Sequence, residues 1–96
     1  MPKVEVKLLA VLRGLTEKSE FQVTIQEGAT LRELVSNIAN NAHPVFKKRF
    51  LNSKSDGLSP DIIVLIDGAE ASIHGGMGAV LKDRSEVIFL PTVHGG

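Results

Sequence analysis

Residues 30–42 read Thr30-Leu31-Arg32-Glu33-Leu34-Val35-Ser36-Asn37-Ile38-Ala39-Asn40-Asn41-Ala42. This stretch decides the fold. Leu31, Leu34, Val35, Ile38 and Ala42 recur at helical spacing on one stripe, which predicts an amphipathic helix with a single buried face. Thr30 followed by Glu33 matches a capping box: the hydroxyl takes an otherwise unpaired helix amide and the carboxylate reaches back. His43-Pro44 stops the helix, because the residue before a proline disfavours helical geometry. One helix with one apolar face needs a sheet to cover, and the flanking sequence supplies it.

Upstream, Val4, Val6, Leu8, Ala10 and Leu12 alternate with Lys3, Glu5 and Lys7, which predicts a half-buried strand. Gly14 and Thr16-Glu17-Lys18 read as a turn. Phe21, Val23 and Ile25 then alternate with Gln22, Thr24 and Gln26, so the two strands form an antiparallel hairpin. Downstream, Pro44 opens a short turn through Val45, Phe46 and Phe50, and residues 52–60 have loop composition. Ile62-Ile63-Val64-Leu65-Ile66 reads as a strand buried on both faces. Asp67-Gly68 signals a hairpin turn, a weak strand near Glu70–Ile73 follows, and Glu86–Leu90 is the last strand. Pro91 is expected to end regular pairing. The expected division is a domain over residues 1–91 and a flexible tail over 92–96. Hairpin, helix, one or two strands and a last strand give an α+β fold of the ubiquitin-like β-grasp type. The sheet is mixed and four- to five-stranded, with one main helix packed on one face.

Composition narrows the function. The 96 residues are 43% hydrophobic and 23% charged, as in ordinary globular domains. Eleven basic residues balance eleven acidic ones, which argues against direct binding of nucleic acid or an anionic membrane. There is no cysteine, hence no disulfide, thiolate metal site or cysteine nucleophile. No apolar run approaches a membrane span and no signal-peptide pattern is present, so a cytoplasmic protein is expected. Small size and balanced charge suit a monomer. A domain this short buries only about 60–65% of its unfolded surface, leaving little room for a deep active site.

No catalytic constellation stands out. His43, His74 and His94 lack metal-ligand spacing, and Gly75-Gly76-Met77-Gly78 lacks the Lys-Ser/Thr of a phosphate loop. Lys47-Lys48-Arg49 reads as a solvated helix end favourable to the helix dipole. The tail is different: the sequence runs to Gly95-Gly96. Glycine has no Cβ, so such a backbone can thread a channel that larger residues block. A carboxylate on this tether is inert alone. ATP converts it to an acyl-adenylate, whose carbonyl accepts a thiolate, persulfide or amine. The reactive group is then the Gly96 carboxyl, and the protein is a substrate rather than a catalyst.

Pro60, Ile62, Val64-Leu65-Ile66, Leu81, Asp83, Val87, Phe89, Thr92 and His94-Gly95-Gly96 resemble the sulfur-carrier branch of ubiquitin-like proteins. That branch includes the ubiquitin-related modifier, the molybdopterin synthase small subunit and the thiamine sulfur carrier. The closing Thr92-Val93-His94-Gly95-Gly96 looks most like the ubiquitin-related modifier. Ala10, Arg13 and Leu90-Pro91 look like the molybdopterin synthase subunit. The glycine-rich Ser72–Val80 stretch departs from the acidic, aromatic-containing segment usual in the eukaryotic modifier.

The resemblance implies a cycle. A ubiquitin-activating-type enzyme spends ATP to adenylate Gly96, with Gly95 and His94 as access residues, and the carrier itself holds no cofactor. A sulfurtransferase then yields a thiocarboxylate. Its sulfur passes to a tRNA-thiolation enzyme, to the large subunit of molybdopterin synthase or to a thiamine precursor. Joining to lysines of target proteins is a further implied outcome.

Strand alternation suggests where a partner docks. Continuing past Lys3, Glu5 and Lys7, the outer face of the first strand reaches Leu9 and Val11. If Val87 and Phe89 face the core, Ile88 and Leu90 face out. With first and last strands adjacent, Leu9, Val11, Ile88 and Leu90 form one apolar patch beside the tail, which marks a partner site. Four such side chains bury roughly 300 Å² and contribute ~5–8 kcal/mol before association costs. The alternative is that the 52–60 loop covers Leu9 and Val11.

Overall fold

Strand β1 (Lys3–Leu8) turns its even-numbered residues inward: Val4, Val6 and Leu8 are buried while Lys3 and Glu5 are exposed. The chain, described here over residues 1–52 and 57–92 of a computed structural model, leaves the strand at Ala10. Ala10 has φ 53, the left-handed region, and a single-turn helix α1 (Val11–Gly14) follows. The expected longer first strand is therefore wrong beyond Leu8. Leu8-Leu9-Ala10-Val11-Leu12 is uniformly apolar, and such a run does not distinguish a strand from a helical turn. Leu12 is nonetheless fully buried, carried inward by α1.

Strand β2 (Glu20–Thr24) returns antiparallel to β1, with Val4 opposite Val23 and Val6 opposite Phe21. Helix α2 (Leu31–Asn40) begins as its sequence predicts, the Glu33 amide donating to Thr30 Oγ1 at 3.4 Å. It buries Leu31, Leu34, Val35, Ile38 and Ala39 against the sheet. Ala42 lies past its end, half-buried. The turn expected after Pro44 is a true helix, α3 (Pro44–Phe50). Proline stands in its first turn, and the His43 imidazole caps it by accepting from the Val45 amide at 3.3 Å. Phe46 and Phe50 point inward and stack towards Phe89, with ring centroids 5.0 Å and 5.1 Å apart in succession.

A small hairpin of β3 (Leu51–Asn52) and β4 (Gly57–Leu58) packs on α2. Strand β5 (Ile62–Ile66) is followed by β6 (Ala69–Glu70), then by two 3-10 turns, Ala71–His74 and Gly76–Gly78. The expected strand near Glu70–Ile73 is thus only two residues long. Gly75 and Gly76 both take positive φ, 103 and 65, so the glycine run serves backbone turning.

Strand β7 (Glu86–Pro91) closes the fold at the centre of a five-stranded sheet ordered β2-β1-β7-β5-β6. It pairs parallel with β1 and antiparallel with β5, which is the β-grasp arrangement. Pro91 is the last residue of β7, but pairing continues one bond beyond the proline expected to end it. Pro91 pairs with Ile62, and the Thr92 amide still donates to the Asp61 carbonyl at 2.8 Å. The proline is tolerated there for a geometric reason. Leu9 N–H donates to Phe89 O at 3.1 Å, so the next donor in the parallel ladder would be the amide of residue 91. By then β1 has turned away at Ala10, and the missing N–H orphans no partner.

Candidate functional site

The sheet has one face under α2 and one open face. On β7, Val87, Phe89 and Pro91 are buried under the helix, while Ile88 and Leu90 stand half-buried on the open face. On β5, Ile62, Val64 and Ile66 are buried, and Ile63 and Leu65 alternate onto the open face. Register places Ile63 directly opposite Leu90 and Leu65 opposite Ile88. Leu9, next in alternation after the buried Leu8 and half-buried itself, is held beside β7 by its bond to Phe89. Five aliphatic side chains thus share one patch: Leu9, Ile63, Leu65, Ile88 and Leu90.

Three of the four residues expected there are brought together. Val11 is not: it lies on α1, beyond the turn at Ala10, 47% exposed but out of the strand's alternation. The Ile62–Ile66 run reads as a strand covered on both faces, and the structure corrects this for Ile63 and Leu65. An unbroken apolar run is consistent with double burial, but here only one side is covered. The alternation signal around Ile62–Ile66 is silent because both sets are aliphatic. In the 52–60 stretch, Gly57–Leu58 lies by α2, with Gly57 near Met77 and Arg32, and the Ser59 amide donates to Phe50 O at the end of α3.

The patch has a sharp boundary. Beyond Ile88, the open face of β1 and β2 carries Lys3, Glu5, Lys7, Glu20, Gln22 and Thr24, all polar. Lys7, opposite Ile88, sits between two carboxylates, its Nζ 3.1 Å from Glu86 and 3.7 Å from Glu20. The hydrogen bond and charge of Glu86 raise the Lys7 pKa above its ordinary 10.5, so the amine stays charged at the patch edge. Gln22 Nε2 donates to Glu5 Oε1 at 2.6 Å beside it.

At the far end of β7 stands a second polar group. Arg49, from α3, makes a two-pronged pair with Asp61: Nη1 to Oδ1 at 3.1 Å and Nη2 to Oδ2 at 2.8 Å. Ser59 Oγ also donates to Asp61 Oδ1 at 2.8 Å. The Arg49 guanidinium first, and the Ser59 hydroxyl second, hold the Asp61 carboxyl below its ordinary 3.8. A carboxylate with a depressed native pKa stabilises the fold above its unfolded pKa, and this is lost as pH falls through the native value. Asp61→Asn is therefore expected to lower stability by about 1–2 kcal/mol at pH 7. In urea unfolding, its deficit relative to the parent should shrink once the pH drops below about 4. A deficit that stays constant down to pH 2 would show that the pair contributes nothing through charge. Of the basic run, Arg49 is thus committed to Asp61, while Lys47 and Lys48 remain exposed.

His94, Gly95 and Gly96 lie outside the described residues. His43 serves as a helix cap and His74 ends a 3-10 turn. Among the described residues no cluster of His, Cys, Asp or Glu is suited to hold a metal. No helix among them is long and apolar enough to cross a membrane.

A sheet of this order gripped by one main helix, with an apolar open face beside its last strand, defines a ubiquitin-like protein. Comparison with known proteins narrows this. The family model described as Urm1 (Ubiquitin related modifier) matches residues 3–96, and the chain belongs to that family of ubiquitin-like modifiers and sulfur carriers. A ubiquitin-related modifier 1 homolog of Bombyx mori is 34% identical over 67 residues, which cover 70% of this chain and 60% of that protein. A homolog of Dictyostelium discoideum is 28% identical over 97 residues, 98% of this chain and 99% of that one. The solution structure of Urm1 from Trypanosoma brucei superposes with a TM-score of 0.80 at 27% identity, covering 98% of this chain and 95% of its own. A putative molybdopterin converting factor subunit 1 from Pyrococcus furiosus gives a TM-score of 0.72 at 26% identity, covering 97% and 100%.

Proposed function

We propose that this protein is a sulfur carrier activated at the Gly96 carboxyl by a ubiquitin-activating-type enzyme in the cytoplasm. The observation that carries the reading is the continuity between the apolar patch and β7, the strand that leads into the Gly95-Gly96 tail. A partner seated on Leu9, Ile63, Leu65, Ile88 and Leu90 lies along the strand whose end, Thr92, is the root of the tail. The carboxylate attacks the α-phosphorus of ATP, forming an acyl-adenylate and releasing pyrophosphate. Hydrosulfide then attacks the acyl carbon and displaces AMP, leaving a thiocarboxylate; the outer sulfur of a sulfurtransferase persulfide gives instead an acyl disulfide, which a second thiol cleaves to the thiocarboxylate as it forms a disulfide with the sulfurtransferase sulfur. Thiolation of tRNA through a dedicated enzyme is the sulfur's proposed destination. Attack by a lysine amine at the same acyl centre would instead give an isopeptide, the modifier reaction.

The size of the patch fits a transient partner. Its side chains are half-buried already, so docking removes on the order of 200 Å² of apolar surface, ~5 kcal/mol before association costs. That is well short of the roughly 600–800 Å² per side of a stable dimer.

The second reading, small subunit of molybdopterin synthase, is favoured by Leu90-Pro91 and by the likeness to the Pyrococcus furiosus protein. It uses the same thiocarboxylate but requires a large subunit that keeps the tail in its own active site.

The test is intact mass after incubation with the adenylating enzyme of the same cell, ATP and sulfide. The expected result is a gain equal to replacing one oxygen by sulfur, localised to Gly96. No gain would sink the carrier reading and leave a ubiquitin-like binding module.

A further inference from the structure

The rung of the sheet at Thr92 is built by groups from three separate parts of the chain. The Asp61 main-chain carbonyl accepts twice from Thr92, from its amide at 2.8 Å and from its hydroxyl at 2.8 Å. The Asp61 carboxylate is in turn held by Arg49 of α3 and by Ser59. The turn carrying Asp61 is closed by the Ile62 amide on the Ser59 carbonyl at 3.1 Å, and the Ser59 amide bonds Phe50 O at 2.8 Å. Thr92 is therefore bolted through Asp61 to the end of α3. A β-strand needs no such device simply to stop.

We propose that Arg49, Asp61 and Thr92 form a clasp that fixes the root of the tail, making them positioning residues for activation of Gly96. The inference rests on the carrier reading above. With Thr92 fixed, residues 93–96 are the whole tether, and four residues reach at most about 14 Å. Were the root to slip back to Pro91, five residues would reach about 18 Å. The clasp thus sets both the length of the tether and the direction in which it leaves the sheet. It also constrains the partner: its adenylation centre lies within about 14 Å of the place that receives Thr92 when the Ile63–Leu90 face is docked. A tether matched to its span gives the highest local concentration of the carboxylate, and slack lowers it.

Three measurements test this. First, amide hydrogen exchange needs no partner: Thr92→Val, which removes only the hydroxyl bond, should speed exchange at residue 92 about fivefold, and Thr92→Ser should restore it. Unchanged exchange would overturn the clasp itself. Second, in the thiocarboxylation assay Thr92→Val should lower kcat about threefold to tenfold with KM within twofold, because docking is intact and only placement suffers. Thr92→Ser should recover the rate. A raised KM with unchanged kcat, or no change in either, would overturn the positioning role. Third, in a chain shortened by deletion of Val93, Thr92→Pro, which removes both the amide and the hydroxyl bond, should raise kcat, because opening the clasp fully returns the lost length. A merely structural role predicts a further loss in that background, and that result would overturn the proposal. Failure of the unaltered chain to gain sulfur overturns the carrier reading and the positioning role with it. Activation of the unaltered chain, with these variants behaving as structural lesions, overturns the positioning role alone.

Discussion

A chain carrying Gly95→Val is expected to gain no sulfur at Gly96 within the time that the parent is fully converted, a loss of at least ~10²-fold in rate. A carboxylate can be adenylated only if one of its oxygens comes within bonding distance of the α-phosphorus, and on the carrier reading the backbone delivering it threads a channel closed to side chains. Glycine clears such a channel because it has no Cβ, whereas valine is branched at that atom and stiff about χ1. Position 95 stands three residues beyond Thr92, the last described residue, and every hydrogen bond and core contact described above is made by other residues. Circular dichroism and melting temperature should therefore match the parent. Deleting Gly96, or capping its carboxyl as an amide, should have the same result for a chemical rather than steric reason. Normal sulfur gain by Gly95→Val would refute the narrow-channel argument. Normal adenylation of the amide-capped chain would sink the carrier reading.

Leu90→Glu should weaken binding to the adenylating enzyme by about 30- to 1,000-fold, equivalent to ~2–4 kcal/mol. Leu90 lies directly opposite Ile63, with Leu9 on its other side. A carboxylate there must lose its water when the apolar patch is covered, and the patch offers it no donor in return. The free protein pays little, because residue 90 faces solvent on the open side. Only the aliphatic pair with Ile63 is lost, about 0.2–1 kcal/mol of stability. Titration calorimetry against the enzyme, with Thr24→Glu on the polar half of the same face as the control, separates a local contact from a general charge effect. Affinity retained by Leu90→Glu would place docking elsewhere on the molecule.

Local chemistry was legible where a segment carries its own signal. Thr30 and Glu33 mark the start of α2, Pro44 marks the break before α3, and the alternation of Lys3–Leu8 and Phe21–Val23 marks the hairpin. What stayed hidden depends on partners distant in sequence. Nothing near Ala10 announces its positive φ, since alanine has no preference for it. Ile63 and Leu65 are chemically indistinguishable from their buried neighbours, and only the position of α2 decides which set is covered. Thr92 finds its anchor 31 residues away, at Asp61, and no spacing rule predicts a bond across that distance. Leu9, Ile88 and Leu90 were found because the first and last strands had to be neighbours. Val11 was misplaced by the same alternation carried three residues too far.

The parallel pairing of β1 with β7 joins residues near one end of the sequence to residues near the other, at the centre of the sheet. Folding cannot be completed hairpin by hairpin as the polypeptide emerges. Phe89, Val87 and their partners Leu8 and Val6 meet only after synthesis has passed residue 89, some eighty residues beyond the first strand. Non-local closure of this kind is slow relative to helix and hairpin formation. Until it happens, Val4, Val6 and Leu8 lack the central strand that covers their edge. A chain interrupted anywhere in β7 is thus expected to be an unfolded, protease-sensitive polypeptide rather than a folded domain with a missing tail. On the carrier reading, topology couples quality control to carrier competence: residues 93–96, which that reading makes reactive, are synthesised directly after the strand that completes the core.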